Sequence, residues 1–341
     1  MTGIPTKSTI PPFWARVDGV KLEQLYALID TDMRAVDGLI RYRLRSDVEL
    51  IRQIAEYIVG AGGKRLRPAL VILAAGALGY KGSAHHEMAT VIECIHTASL
   101  LHDDVVDESS MRRGRETANA RFGNPASVLV GDFLSSRAFQ MIVEASDIRL
   151  MRVLSEAFNV ITEGEVMQLM NCHNADINVE EYLQVIRSKT AKLFEAAARL
   201  GAIVGGADQA LEACFGAYGM HLGTAFQLVD DVLDYSGEEA ETGKHLGDDL
   251  AEGKPTLPLI HVLRHGTATQ ARCVRHAIET GGRDEFAEVL VAIRETGALE
   301  YTKECAQREV DLAIESIDGL SASPYKKSLL ELCLFAVART Y

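Results

Sequence analysis

A single tryptophan, eight prolines and no cysteine pair at metal or redox spacing mark what this chain of 341 residues has least of. So few prolines leave long stretches free to run on as helix. The six cysteines (Cys94, Cys172, Cys214, Cys273, Cys305, Cys333) are scattered without a C-x-x-C, which excludes a zinc ribbon and offers no disulfide framework. They read as reduced, mostly buried small hydrophobes of a cytoplasmic protein. Positive charge is also scarce. With 35 Lys and Arg against 48 Asp and Glu, the net charge of −13 excludes a general nucleic-acid binder. The opening MTGIPTKSTIPPF lacks the basic-then-apolar order of a signal peptide. The longest apolar run, residues 69–79, is too short for a transmembrane segment and holds two glycines. A soluble protein is expected, with loose association to a membrane surface left open.

What is present is helical periodicity. Segments such as VKLEQLYALIDTDMRAVDGLI, MRVLSEAFNVITEGEVMQLM and YLQVIRSKTAKLFEAAARLGAIV repeat apolar residues at three- and four-residue intervals. No segment sustains period-two alternation, and no internal repeat of fixed period occurs. Residues 1–12, with three prolines, read as a flexible leader; residues 13–341 read as one all-α domain, a bundle of ten or more helices. Turns are expected at GAGGK, GYKGS, FGNP, HNADINVEE and SGEEAETGKHLGDDLAEGKP.

Two acidic clusters interrupt this apolar pattern, Asp103-Asp104-x-x-Asp107 in LLHDDVVDES and Asp230-Asp231-x-x-Asp234 in FQLVDDVLDYSG. On a helix the first and last Asp of each lie one turn apart on the same face. One such cluster fits a solvated turn as well as a site. Two, each flanked by Leu, Val or Phe, do not, because buried carboxylates are costly without a partner. Oxygen donors with no His or Cys among them favour Mg²⁺, which keeps positions open for substrate phosphates. Facing clusters near the ends of two long helices would clamp a diphosphate.

Cations stand beside these carboxylates. Arg112, Arg113 and Arg115 follow the first cluster within about two helical turns, as a guanidinium fork for phosphate or as simple partners of the helix end. Gly62-Gly63-Lys64-Arg65-Leu66-Arg67-Pro68 offers backbone N–H groups and three cations at a helix start, a second anion site or a basic surface turn. It lacks the spacing of a Walker loop. His96 precedes Asp103 by two helical turns and should face the same side, as a ligand or a core residue. Glu93-x-x-His96 raises a di-iron reading that fails for want of a second such pair. Lys189, Thr190 and Gln227 intrude on apolar helices and suggest a polar cavity wall. Lys244 and Lys254 flank Asp248 and Asp249, as a basic lid or a solvated loop.

Taken in order, GGKRLRP, LLHDDVVDESSMRRG, GDFL, SKTAKLFEAA, GTAFQLVDDVLDY and GKPTLPL resemble the motifs of the trans-polyprenyl diphosphate synthases, the bacterial octaprenyl members above all. The likeness runs from about residue 22 to the C-terminal helix. It implies an isoprenoid synthase-like bundle around a central cavity. It also implies Mg²⁺-dependent head-to-tail condensation of isopentenyl diphosphate onto farnesyl diphosphate. The product would be an all-trans polyprenyl diphosphate for quinone side chains, octaprenyl first, with nonaprenyl, decaprenyl or geranylgeranyl as alternatives. By the same likeness Asp103, Asp104, Asp107, Asp230, Asp231 and Asp234 hold two or three Mg²⁺. Lys64, Arg67, His96 and Arg113 take isopentenyl diphosphate; Arg112, Lys189, Thr190, Gln227, Lys244 and Lys254 take the allylic diphosphate. Homodimerisation is implied too. Short-chain relatives place an aromatic where Ala98 and Ser99 stand, so two small residues suggest an open tunnel. Phe139, Met141, Ile142 and Leu154 are candidates for its floor or for plain core packing. A class I terpene cyclase would not need the second anion site. A non-catalytic regulatory subunit would have lost an Asp cluster, and this chain keeps both.

Overall fold

Helix α1 (Asp30–Arg43) opens the described part of the chain; the structure, a computed structural model, describes residues 26–338 except 61, 113, 237–245 and 283. The expected leader, 1–12, therefore lies outside the described residues. There follow α2 (Glu49–Gly60), α3 (Leu66–Ala77), α4 (Ala84–Val106), α5 (Ala118–Phe122), α6 (Asn124–Glu144), α7 (Ile148–Asn171) and α8 (Val179–Ile186). A π-helical segment, Arg187–Ala191, leads into α9 (Lys192–Val204) and the long α10 (Gln209–Ser236). The rest is α11 (Asp248–Ala251), α12 (Leu257–His265), α13 (Ala268–Thr280), α14 (Phe286–Glu295), α15 (Ala298–Ser316) and α16 (Pro324–Ala338). The all-α bundle of ten or more helices is what the structure shows.

Local sequence sets many of these boundaries. Asn178 and Glu181 close a capping box on α8, Thr267 and Gln270 another on α13. The Asp147 side chain accepts from Arg149 N at the start of α7. Helix α10 is apolar nearly all round, from Phe215 through Leu222 and Leu228 to Tyr235, so it runs through the interior. It packs against α9 and α15, while α4 packs against α6 and α3. The main core joins Ile72 and Leu73 of α3, Ile92 of α4, Ile142 of α6, Leu154 of α7, Phe194 of α9 and Tyr218 of α10. A smaller core of Ile177, Tyr182, Ile186, Leu228, Leu257 and Ile260 lies around the second Asp cluster.

One element departs from the helical reading. After α4 the chain turns at Glu108, whose φ is 50°, and folds into a hairpin of β1 (Met111–Arg112) and β2 (Arg115–Glu116). Arg112 and Arg115 are therefore cross-strand partners and not residues on further helical turns. Gly114, at φ 72°, makes the reversal possible, and so short a hairpin carries too few residues to show alternation.

Candidate active site

The two Asp clusters end two of the longest helices, and the bundle brings those ends together. Asp103 and Asp107, from the end of α4, line one cleft with Asp230 and Asp231 of α10; Lys189, Thr190, Gln227, Arg112 and Lys254 line it too. The remaining two aspartates turn elsewhere. Asp104, buried, accepts from Arg112 Nε at 2.7 Å and lines a neighbouring pocket. Asp234 meets the 247–249 loop, with Asp249 N 3.4 Å from its Oδ2 and its carbonyl accepting from Gly247 N at 2.9 Å.

Lys189 and Thr190 reach the cleft from the π-helical segment. A π turn adds a residue to one helical turn and so re-aims the side chains around it, a device common at functional sites. Two glycines let neighbouring helices approach this wider turn. A Cβ on Gly164 of α7 would lie 2.7 Å from Lys189 N, and one on Gly223 of α10 2.6 Å from Ala191 Cα. Lys189 Nζ donates to Gln168 Oε1 at 2.6 Å, pairs with Glu165 at 2.6 Å and stands 3.8 Å from Asp103. Thr190 Oγ1 donates to Gln227 Oε1 at 3.0 Å, and Gln227 Nε2 donates to Asp231 at 2.9 Å. Tyr182 OH donates to the other oxygen of Asp231. Lys254 Nζ bonds Asp107 at 3.1 Å and pairs with Glu252.

The cleft carries more buried negative charge than its cations balance. Burial raises the carboxyl pKa of Asp103, with Asp107 adding to it against Lys189. Burial and Asp249 push Asp231 to about 8, although Tyr182 and Gln227 donate to it. Burial likewise lifts Glu165 to about 7 despite Lys189. For Lys254 burial would lower the pKa, but Asp107, Asp249 and Glu252 outweigh it and hold the ammonium charged. Five carboxylates, those of Asp103, Asp107, Asp230, Asp231 and Asp249, with no His or Cys among the described lining residues, are the donor set and charge that suit Mg²⁺.

Beyond the carboxylates a cavity of about 750 Å³ runs along α4 and α7, from Asp103, Asp107 and Lys254 to Ser99, Ile95, Ser135, Phe158 and Ile161. Of the proposed tunnel residues, Ser99 lines this cavity, and Phe139 packs edge-on to Phe158 with ring centroids 5.4 Å apart. Ala98, Met141, Ile142 and Leu154 are buried in the main core and do not line it.

His96 lines the pocket that holds Asp104, Arg65, Arg112 and Arg115, not the cleft of Asp103, so the two do not share a side as the helical count suggested. Its Nε2 is 3.3 Å from Arg67 Nη1, and the Arg67 guanidinium stacks 4.3 Å above Phe194. Lys64 Nζ sits 5.7 Å over the ring of Phe335 on α16. Arg65, at φ 48°, caps α3 and pairs with the buried Glu93. Arg113 and Lys244 lie outside the described residues.

Glu165, Gln168, Tyr182, Asp249 and Phe158 join the site without having been singled out in the sequence as site residues. One signal existed. Phe158, Ile161, Thr162, Glu165, Gln168, Leu169 and Cys172 fall at three- and four-residue steps along α7, a single stripe that faces the cavity.

Known proteins share this architecture. A family model described as Polyprenyl synthetase matches residues 48–294. The octaprenyl diphosphate synthase of Escherichia coli (strain K12) is 52% identical over 321 residues, 94% of this chain and 99% of that protein. The all-trans-nonaprenyl-diphosphate synthase (geranyl-diphosphate specific) of Rhodobacter capsulatus is 40% identical over 318 residues, 93% of this chain and 98% of that one. The crystal structure of a polyprenyl synthase from Caulobacter crescentus CB15, complexed with calcium and isoprenyl diphosphate, superposes with a TM-score of 0.91 at 40% identity. That match covers 96% of this chain and 100% of the other.

Proposed function

The chain belongs to the polyprenyl synthetase family, and on that premise we propose that it condenses isopentenyl diphosphate head-to-tail onto farnesyl diphosphate to make all-trans octaprenyl diphosphate for a quinone side chain. The observation that carries this is the convergence of Asp103 and Asp107 with Asp230 and Asp231 over a cavity of about 750 Å³. The cleft is a place for a diphosphate and the cavity a place for its hydrocarbon.

Asp103, Asp107, Asp230 and Asp231 would hold Mg²⁺, two or three ions, with Asp104 and Asp234 fixing the ends of the clusters. Held by those residues, Mg²⁺ would supply the positive charge that makes the diphosphate a good leaving group. Lys189, Thr190, Gln227, Arg112 and Lys254, with Lys244, grip the same diphosphate and stabilise the charge that grows on it as the allylic C–O bond ionises. Arg67 and His96, with Lys64 and Arg113, hold isopentenyl diphosphate so that its double bond meets the allylic cation. The departing diphosphate, still held beside that cation, takes the proton lost when the new alkene forms. Ile95, Phe158 and Ile161 line a largely apolar cavity that receives the growing chain and keeps water from quenching the cation. The 52% identity to an octaprenyl diphosphate synthase supports eight isoprene units.

A homodimer suits the surface. Leu129 and Val143 of α6 and Ile148 and Met170 of α7 are exposed apolar residues on two adjacent helices, the face that a second copy would cover. Among the described residues no helix is long and apolar enough to cross a membrane, in keeping with a cytoplasmic enzyme that releases its product at a membrane surface. Asp103→Ala and Asp230→Ala test the clamp. Each should abolish turnover while the helical circular-dichroism signal stays, and full activity in either would overturn it.

A further inference from the structure

Far from the carboxylate cleft, we propose that Asp32, His85 and His86 form a second, chemically different metal site, for Zn²⁺ or a similar borderline divalent ion, that staples α1 to the start of α4. Consecutive residues on an α-helix point about 100° apart, so adjacent imidazoles usually face different surroundings. Here both turn to one carboxylate oxygen. His85 Nε2 lies 3.3 Å and His86 Nε2 2.8 Å from Asp32 Oδ1, with the ring centroids 4.1 Å apart. The three donor atoms all fall within 4.8 Å of one another. Tetrahedral ligands about 2.05 Å from a zinc ion sit about 3.3 Å apart, the spacing His85 and Asp32 already have.

The two facing imidazole nitrogens and the carboxylate oxygen they share are the donors such an ion would take. Two imidazoles and a carboxylate select Zn²⁺, Co²⁺, Ni²⁺ or Cu²⁺ over Mg²⁺, the ion suited to the all-oxygen cleft. Three protein ligands leave a fourth position for water. The site lies about 25 Å along α4 from Asp103, too far to take part in catalysis. Its role is to hold α1 on α4, alongside the Arg43–Glu87 ion pair at 3.1 Å.

The test is Zn²⁺ titration of the metal-stripped full-length protein against a chromophoric chelator, with Mg²⁺ in excess to fill the carboxylate cleft. One tight equivalent is expected, with a melting temperature that climbs with the logarithm of Zn²⁺. Co²⁺ in its place should give the intense visible bands of a four-coordinate ion. His86→Ala should weaken that equivalent by more than the roughly 10–100-fold typical of losing an outer-shell partner, and leave Mg²⁺-supported turnover unchanged. Asp32→Asn should do the same and serves if His86→Ala does not fold. Equal Zn²⁺ affinity and stoichiometry in wild type and either variant would overturn the site, as would a wild-type protein with no four-coordinate Co²⁺ spectrum.

Discussion

Lys189 offers the sharpest test of how the cleft works, because it stands among the carboxylates that would bind metal. Its ammonium is 3.8 Å from Asp103 and 2.6 Å from Glu165, on a side chain only 18% exposed. At an effective dielectric of about 20, the attraction to Asp103 alone is roughly 4 kcal/mol before solvent and side-chain relaxation. If a third of it survives, removing the charge makes Asp103 a better metal ligand by about 1.4 kcal/mol, a tenfold gain in affinity. The same removal takes away a donor to the departing diphosphate, worth about 10²–10³ in kcat. Lys189→Met keeps the length of the side chain and deletes its charge. We therefore expect opposite movements: tighter Mn²⁺ binding to the substrate-free enzyme by electron paramagnetic resonance titration, and a kcat lower by two to three orders of magnitude with substrates and metal saturating. Unchanged kcat would refute the diphosphate role. Metal affinity that weakened together with kcat would show that Lys189 merely holds the carboxylates in place.

Two further substitutions test the cavity and the frame around it. Ser99→Tyr puts a ring on the cavity wall about 6 Å along α4 from Asp103, and reversed-phase chromatography should show a shorter product. An unchanged length would mean the chain grows elsewhere. Ala98→Tyr, at a core position with 2% exposure, should instead lower stability by about 1–3 kcal/mol through overpacking. Glu309 tests the frame by pH. Burial would raise its carboxyl, but hydrogen bonds from His221 at 2.6 Å and Arg187 at 3.0 Å outweigh it and hold the pKa below the ordinary value. Its stabilisation is thus present above the unfolded-state pKa and lost as pH falls through the folded one. Urea unfolding should show Glu309→Gln less stable than wild type at neutral pH and nearly equal to it in acid; a gap that widens in acid would contradict this.

Much of this architecture was legible along the chain. Helical periodicity gave the bundle, and Asp103-Asp104-x-x-Asp107 with Asp230-Asp231-x-x-Asp234 marked the cleft, because carboxylates inside Leu- and Val-rich helices need a reason to be there. Local spacing could not say which aspartates face each other. Asp104 turns to Arg112 because a hairpin, too short to leave a pattern, folds that arginine back beneath it. The π turn that aims Lys189 and Thr190 depends on α7 and α10 approaching across Gly164 and Gly223, contacts between residues distant in sequence. Phe158 and Glu165 share a stripe that in sequence looks like any core-facing helix; only the neighbouring helices turn it into a cavity wall. Met141, Ile142 and Leu154 show the reverse, apolar residues near the cavity that serve the core.

The central claim is a metal-dependent condensation that stops at a long product. Incubating the protein with labelled isopentenyl diphosphate, farnesyl diphosphate and Mg²⁺, and reading product length by reversed-phase chromatography, tests it most directly. A single octaprenyl product that disappears when EDTA is added is the predicted result. A cyclic hydrocarbon, a chain that stops at four units, or no product from folded protein would contradict it.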